Sequence, residues 1–572
     1  YGTWAVGAFM LLLSAAACTD SYESTPVDMF TEDYLFSKTD SNGTVVRKYL
    51  NRIYYYMRNG HNGVNGDYLD AASDDALSVI SSESDVYKLA IGRYSASNFI
   101  NSDMIWSDPY LVIRRVNILL SGIDVVPFNT TYTDALGNTR RLNDSMKAEA
   151  RFLRAYFYFE LVKRYGGVPI IGDKVYELNE NIELPRSTFE QCIKYIVSEL
   201  DDIKDDLRSL PLPDAAASAH VVNTQAAQAL KIRVLLYAAS PAYQDKDVIQ
   251  INGMGNFTVL NEATYQAGWE RAALFANEVL KDAGINYTFT AMAAKDLADA
   301  GSDTPADFIF RTYMGLVHGM ESRHYPPFYL GNAQTIPSHN LAAAFPAKNG
   351  YPITDSRSLY DEQDPYLIAR DNRFNMNLYY QGKKFGAYNS NIDVSEGGKD
   401  SESFHIYASR SGYYLSKFLS TTQKNMLDPI QTLNSRHFNP LLRKTEVWLN
   451  YAEAANEAWG PEGKGDDCKY SAYDVLKIIR EKSGGITDAT YLSEVASEGK
   501  AAFRKLIQNE RRIEFAFEDH RFWDLRRCLL PLDTTIEGIQ VTRTDNGLSY
   551  EIKEIEQRPL DALRYYYLPL PN

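Results

Sequence analysis

Ala148 to Ile171 reads AEARFLRAYFYFELVKRYGGVPII, and this stretch decides the fold. Apolar side chains at Met146, Ala150, Leu153, Phe157 and Leu161 follow one another at intervals of four, three, four and four. That is one stripe of a 3.6-residue period, which predicts an amphipathic helix. Asn143, Asp144 and Ser145 offer capping oxygens just before it. Gly166 and Gly167 tolerate positive φ where the helix must stop, and Pro169 prevents its resumption. Rings at Phe152, Tyr156, Phe157, Tyr158, Phe159 and Tyr165 lie on more than one side, so the helix is expected to be buried between neighbours, with no cofactor role.

Other helices flank it. Val45 to Arg58 is one, with Tyr54, Tyr55 and Tyr56 clustered, followed by the Gly- and Asn-rich HNGVNGDYLDAASDD. Trp106 to Ile123 reads WSDPYLVIRRVNILLSGI, with Pro109 where a first turn tolerates it. Glu183 to Ile203 contains Ser187-Thr-Phe-Glu190, read as a capping box. Val221 to Ala239 carries the stripe Ala227, Leu230, Val234 and Tyr237, and Pro241 ends it. Tyr265 to Ala283 places Trp269, Ala273, Ala276 and Leu280 on one face. Small residues at contact positions let paired helices approach closely, as in stacked helical hairpins. From about Tyr287 to Pro440 helices give way to Gly, Asn, Pro and Tyr. Helical pattern returns at Arg443 to Ala458, Ala472 to Lys482 and Ala501 to Arg527.

The 572 residues are 45% hydrophobic and 23% charged, ordinary globular usage. The net charge of −15 supplies no basic field for nucleic acid, so no nucleic-acid partner is expected. The 41 tyrosines suit either binding surfaces or helix cores. Four cysteines, Cys18, Cys192, Cys468 and Cys528, contain no CxxC pair, which excludes a zinc ribbon. If Cys18 is modified, an odd number remains, against a disulfide framework.

Val6 to Ala17, VGAFMLLLSAAA, has the length of a signal-peptide core and is too short to span a membrane. Small residues followed by Cys18 fit a lipoprotein cleavage site with Cys18 as the lipidated residue, although Ala15 stands where Leu is usual. An ordinary secretory signal with an incidental Cys18 is the rival reading. The start at Tyr1, without a basic region, suggests a truncated or misassigned beginning. Thr19 to about Thr44 is polar and reads as a flexible tether.

The landmarks together resemble the SusD-like (RagB/SusD) family of outer-membrane nutrient-binding lipoproteins of Bacteroidetes. They are the Ala148–Ile171 helix; Trp106, Tyr110, Ile113, Arg114, Arg115 and Asn117; Leu184-Pro185-Arg186-Ser187; and three stretches of the irregular part. Those three are IPSHNLAAAFPAKNGYPI (Ile336 to Ile353), DEQDPYLIARDNRF (Asp361 to Phe374) and SGYYLSKFL (Ser411 to Leu419). The resemblance implies a mostly α fold, a scaffold of four tetratricopeptide-like helical hairpins with a large irregular loop-rich insertion. It divides the chain into a signal peptide (1–17), a lipidated cysteine with its tether (18–44) and one SusD-like domain (45–572). Helical hairpins would occupy about 45–283 and 443–527, and the irregular section about 287–440.

Catalytic motifs are missing: no GxSxG, HExxH, P-loop or GxGxxG after a strand occurs. Glu510, Glu514 and Glu518, beside Asp519 and His520, invite a glycosidase reading. Their spacing of four beside Arg511, Arg512 and Arg521 is better explained by charge pairing on one helix face. The eight histidines lack metal-ligand spacing. Neither a catalytic residue, a metal nor a cofactor is therefore expected.

Sugar rings stack on aromatics, and their hydroxyls seek Asn, Asp, Arg and His. Two loops meet that need on a rigid scaffold. Val86–Asn101 brings Tyr87, Arg93, Tyr94, Asn98 and Phe99. Arg311–Asn332 brings His318, Arg323, His324, Tyr325, Phe328, Tyr329 and Asn332. The resemblance places a ligand surface at these two loops, lined by an aromatic arc; the candidate contacts are Arg93, Tyr94, Asn98, Phe99, His324, Tyr325, Phe328 and Tyr329. It implies a lipid-anchored protein on the cell exterior that captures glycan and passes it to a SusC-like TonB-dependent transporter. Peptide cargo is the alternative within the family, and a secreted glycan hydrolase the alternative outside it.

Overall fold

The computed structural model describes residues 32–571, apart from the internal segments 58–59, 62, 80–82, 99, 101–104, 178–179, 209–220, 246, 249–261, 283–286, 293–304, 313–315, 318, 387–389 and 422–434. The expected signal and lipidation residues, Cys18 among them, lie outside the described residues.

The long helices are α1 (Thr44–Tyr54), α2 (Ser107–Gly122), α3 (Leu142–Tyr165), α4 (Phe189–Ile203), α5 (Thr224–Ala239), α6 (Glu262–Lys281), α7 (Lys444–Trp459), α8 (Ala472–Lys482), α9 (Thr490–Ser497) and α10 (Lys500–Glu514). From α2 to α8 each packs on the next in sequence, and α7 also meets α10. This is the mostly α fold that the resemblance implied, with successive helices packed on one another. One continuous apolar core runs from Leu35 through all of these helices to Leu568.

α3 is buried along nearly its whole length, and every ring of its aromatic set is in the core. Phe152 meets Phe310 edge-on at 5.6 Å, and Phe159 meets Tyr237 at 5.1 Å. The helix ends as expected, with Gly166 at φ +72°. It begins one turn earlier than its stripe suggested. Asn143 and Ser145 are inside the helix, where Asn143 donates to Asp124 and Ser145 to Glu149.

Other boundaries also move. The capping box ahead of α4 belongs to Thr188 and Gln191, one residue beyond the expected pair. The Thr188 hydroxyl accepts from the Gln191 N–H at 3.0 Å, and the Gln191 side chain accepts from the Thr188 N–H at 2.8 Å. Ser187 instead gives its N–H to the Val168 carbonyl. The stretch Ala501–Arg527 is not one helix. α10 stops at Glu514, Phe517 and Asp519 take positive φ of 61°, and a separate short helix runs Arg521–Arg527. The polar stretch expected to run free to residue 44 is fixed from residue 32 onward: Leu35 is buried, and the Phe36 ring closes on Gly122.

Six strands matter to the site: β1 (Ala76–Ser78), β2 (Phe308–Arg311), β3 (Thr335–Pro337), β4 (Pro440–Arg443), β5 (Thr534–Thr544) and β6 (Gly547–Arg558). β1 pairs antiparallel with β3, β2 with β4, and β5 with β6. The β5–β6 hairpin was not anticipated, although Asp545-Asn546-Gly547 is a strong hairpin turn signal between two alternating runs. It braces the irregular section: Ile539 donates its N–H to the Ser411 carbonyl, and Glu396 donates to the Val541 carbonyl, both at 2.9 Å.

Candidate ligand-binding surface

In the first expected loop, a short helix Asp85–Ala90 is capped by Ser84, whose hydroxyl accepts from the Tyr87 N–H at 3.3 Å. Arg93 is exposed and grips Glu83 with two contacts, at 2.8 and 2.9 Å. That hydrogen-bonded pairing lowers the Glu83 pKa. Tyr94 is half-buried, its ring edge-on to Tyr565 at 6.3 Å. Asn98 is exposed, but its N–H and side-chain amide close the loop on Ser95 and on the Arg93 carbonyl. Phe99 falls outside the described residues.

The second loop departs further from expectation. His324 is 0% exposed, with its ring 5.1 Å from Tyr68. Its Nδ1 accepts from the Thr335 N–H at 3.4 Å, and burial holds its pKa down to about 3. Tyr325 is also fully buried: its hydroxyl donates to the Ser420 carbonyl at 2.6 Å, and its ring meets Phe385 edge-on at 5.0 Å. Tyr329 stacks on Phe385 at 4.2 Å and is 3% exposed. These three side chains are core, not an open arc, because each ring finds an aromatic partner and each polar atom a backbone or side-chain partner inside. Of the four candidates in this loop only Phe328 reaches solvent, at 46% exposure.

Phe328 belongs to a surface the sequence reading missed. Its ring lies 6.2 Å from that of Phe404. Phe404 sits in the exposed run Glu402–Tyr407, where Phe404 is 56%, Ile406 81% and Tyr407 46% exposed. The run is held firmly. Ser401 donates to the Gly398 carbonyl at 2.7 Å and shares a 2.8 Å hydroxyl bond with Ser403, which in turn accepts from the Gly397 N–H. The Phe404 N–H returns to the Ser401 carbonyl, and the Ala408 N–H to the His405 carbonyl. Tyr414, buried below, donates its hydroxyl to the Asp400 carbonyl at 2.6 Å.

Lys399 joins this shelf to the core. Its ammonium lies 4.9 Å over the Phe328 ring and donates to the Tyr329 hydroxyl at 2.8 Å, while also pairing with Asp400. Burial opposes its charge, but the Asp400 and Tyr329 partners outweigh it and raise the lysine pKa. The result is a preorganised apolar and aromatic shelf with a cation beneath its edge. Isolated exposed apolar residues are ordinary, whereas a cluster on an ordered loop marks a binding surface.

The carboxylate series has a different setting. Glu510 contacts Arg373 at 2.5 Å and Arg480 at 3.4 Å. Glu514 contacts Arg373 at 2.8 Å and Arg443 at 3.2 Å. Glu518 contacts Lys417 at 2.7 Å and Arg443 at 2.8 Å. All are buried. Charge pairing does explain them, but the partners come from other elements. The arginines beside them turn elsewhere: Arg511 to Asp524, Arg512 to Asp75 and Arg521 to Asp74. Burial works against ionised Glu514, and Arg443 with Arg373 outweighs it, holding that carboxyl below its usual range. Among the described residues no cluster of three or more His, Cys, Asp or Glu has metal-binding geometry.

The structure thus sets an array of paired helices beside a loop-rich flank that carries an exposed aromatic shelf. Comparison with known proteins agrees on the fold and gives the family. A family model described as the SusD family matches residues 299–572, and one described as starch-binding associating with outer membrane matches residues 33–236. The chain belongs to the SusD-like family. Its relatives include SusD-like protein P38 of Formosa agariphila, 21% identical over 490 residues, which cover 80% of this chain and 82% of that one. Among solved structures, a SusD-like protein of Bacteroides fragilis superposes with TM-score 0.71 at 23% identity, covering 94% of this chain and 95% of that one. A SusD-like carbohydrate binding protein of the same species gives TM-score 0.66 at 19% identity, with 93% and 97% covered.

Proposed function

We propose that this protein is a cell-surface glycan-binding lipoprotein. Cys18 carries its lipid anchor in the outer membrane, and the protein delivers captured oligosaccharide or polysaccharide to a SusC-like TonB-dependent transporter. The observation that carries the binding reading is the shelf of Phe328, Phe404, Ile406 and Tyr407 on a loop fixed by its own hydrogen bonds. Aromatic faces stack on the apolar faces of sugar rings, and a loop already ordered loses little entropy on binding. Two names point the same way: the carbohydrate-binding relative of B. fragilis and the starch-binding description of the family model over 33–236. Arg93 and Asn98, both exposed on the Val86–Asn101 loop, are further candidate hydrogen-bonding groups. The work is capture and hand-off, with no bond cleaved; the buried glutamates serve as ion-pair partners in the core. The binding domain in this reading is one unit that begins before residue 45, since Leu35 already belongs to its core.

The test is calorimetric titration of the purified protein against a polysaccharide panel and a peptide pool. Saturable binding of a polysaccharide supports the reading, and binding of peptides alone replaces glycan by peptide as the cargo. Expression in a bacterium with an outer membrane tests the address. The native protein should sediment with the membrane and retain one much larger membrane protein through detergent extraction, while Cys18→Ala should be released. Cys18→Ala that stays membrane-bound in the absence of the transporter contradicts the anchor.

A further inference from the structure

A second concavity lies on the helical side of the molecule, at the start of α2. Its volume is about 490 Å³, within the range of small-molecule sites. One wall is Trp106, just before α2, together with Tyr110, Leu111 and the guanidinium of Arg114 on the helix. The opposite wall is the connection between α3 and α4, with Tyr176, Ile182 and Leu184.

The walls are fastened to each other. Tyr110 donates its hydroxyl to the Pro169 carbonyl at 3.0 Å, and Arg114 Nε donates to the Tyr176 carbonyl at 3.2 Å. Asn117 donates to the carbonyls of Gly172 and Lys174, both at 2.9 Å, and is itself held by Arg154 at 2.7 Å. The residues of the sequence landmark Trp-x-x-x-Tyr…Arg-Arg-x-Asn thus hold open a cleft.

Two cations line it, and they differ. Lys174 is neutralised by Glu180 at 2.6 Å and rests 4.0 Å over the Tyr176 ring. Among the described residues Arg114 makes one hydrogen bond, through its Nε, and no carboxylate lies within ion-pairing distance of it. Its remaining N–H groups form the fork that recognises a carboxylate. The rest of the lining is aromatic and aliphatic. Leu111 and Ile182 line the same cleft and are partly open to solvent, 38% and 47% exposed.

We propose that this cleft is a second binding site, for a small carboxylate with an apolar ring body: the ring between Tyr110 and Tyr176, the carboxylate on Arg114. The site is separate from the Phe328–Tyr407 shelf and does not rest on the glycan reading.

The probe is 4-hydroxycinnamate, titrated calorimetrically into the whole protein, with its methyl ester as the uncharged control. One saturable site is expected for the acid, with affinity about tenfold weaker for the ester and for Arg114→Gln. Leu111→Glu, at an exposed position that should not disturb folding, should abolish binding of the acid. A shelf variant, Phe328→Ala with Phe404→Ala, should bind the probe as the native protein does. Absence of saturable binding, equal affinity for acid and ester, or an unchanged affinity in Leu111→Glu overturns the proposal; so does loss of probe binding in the shelf variant, which would put the probe elsewhere.

Discussion

Phe328 and Tyr329 are consecutive residues whose rings meet edge-on at 5.2 Å yet differ in burial: the Phe328 ring is 46% exposed, while Tyr329 stacks flat on Phe385, 4.2 Å away and 3% exposed. Their substitutions should therefore separate binding from folding. Phe328→Ala should weaken glycan binding by about 1 kcal/mol, roughly fivefold in Kd, and leave the unfolding transition in place. Tyr329→Ala should instead cost about 3 kcal/mol of stability through a core cavity. Titration and thermal unfolding on both variants check this; equal losses of stability would contradict the difference in burial.

Arg373 should behave as a core residue despite its charge. It joins Asp371, Glu510 and Glu514 in one buried cluster. Glu510→Gln leaves Arg373 and Arg480 short of a negative partner, and removing one member of a buried pair typically costs about 3 kcal/mol or more. Denaturant unfolding should show that loss, while glycan affinity measured well below the transition stays unchanged. A lost affinity with intact stability would return Glu510 to a role in the site.

Acid should weaken the fold through its buried histidines. Burial lowers the pKa of His61, His324 and His520 to about 3 each. Below about pH 6.5 the unfolded chain takes up protons that the folded chain refuses, so stability falls as pH drops from about 6.5 toward 3. One such histidine contributes a slope of up to about 1.4 kcal/mol per pH unit. His324→Gln, which keeps an acceptor for the Thr335 N–H, should make the pH dependence between about 6 and 4 shallower by one proton. An unaltered slope would mean that His324 is protonated in the folded state.

The two strands of the C-terminal hairpin should matter to the shelf though they lie outside it. Ile539 and Val541 of β5 hold the Ser411 and Glu396 ends of the shelf segment. Gly538 lies so close to Ser411 that an added Cβ would sit 2.8 Å from its Cα. Gly538→Val should displace that segment, weakening glycan binding about tenfold, with helical circular dichroism unchanged. Native affinity in this variant would show that the shelf is independent of the hairpin.

The helical half was legible because a core helix writes its burial into a period. α3, α7 and α8 were readable from their apolar spacing, with boundaries shifting by a turn or less where several polar residues compete to cap, as Ser187 and Thr188 do. What broke the reading at Glu514 was backbone conformation: Phe517 and Asp519 take left-handed φ, which no composition rule requires of those residue types. The candidate binding surface was less legible. Irregular segments carry no period, so nothing in the sequence says which side of a ring faces water. Tyr325 and Tyr329 looked like surface aromatics and are core, while Phe404, Ile406 and Tyr407, three apolar residues in a Gly- and Ser-rich run, passed as ordinary loop. Only the placement of Phe385 beneath Tyr325 and Tyr329, and of Ser401 beneath Phe404, separates the two outcomes.

The account turns on the shelf as the glycan-binding face. The direct measurement is the affinity of the triple variant Phe328→Ala, Phe404→Ala and Ile406→Ala for whichever polysaccharide the native protein binds, with thermal unfolding recorded on the same samples. The account predicts at least a tenfold weaker Kd, about 1.4 kcal/mol, with the unfolding midpoint unmoved, since all three side chains are exposed. A variant that unfolds like the native protein and binds the polysaccharide with native affinity would contradict it.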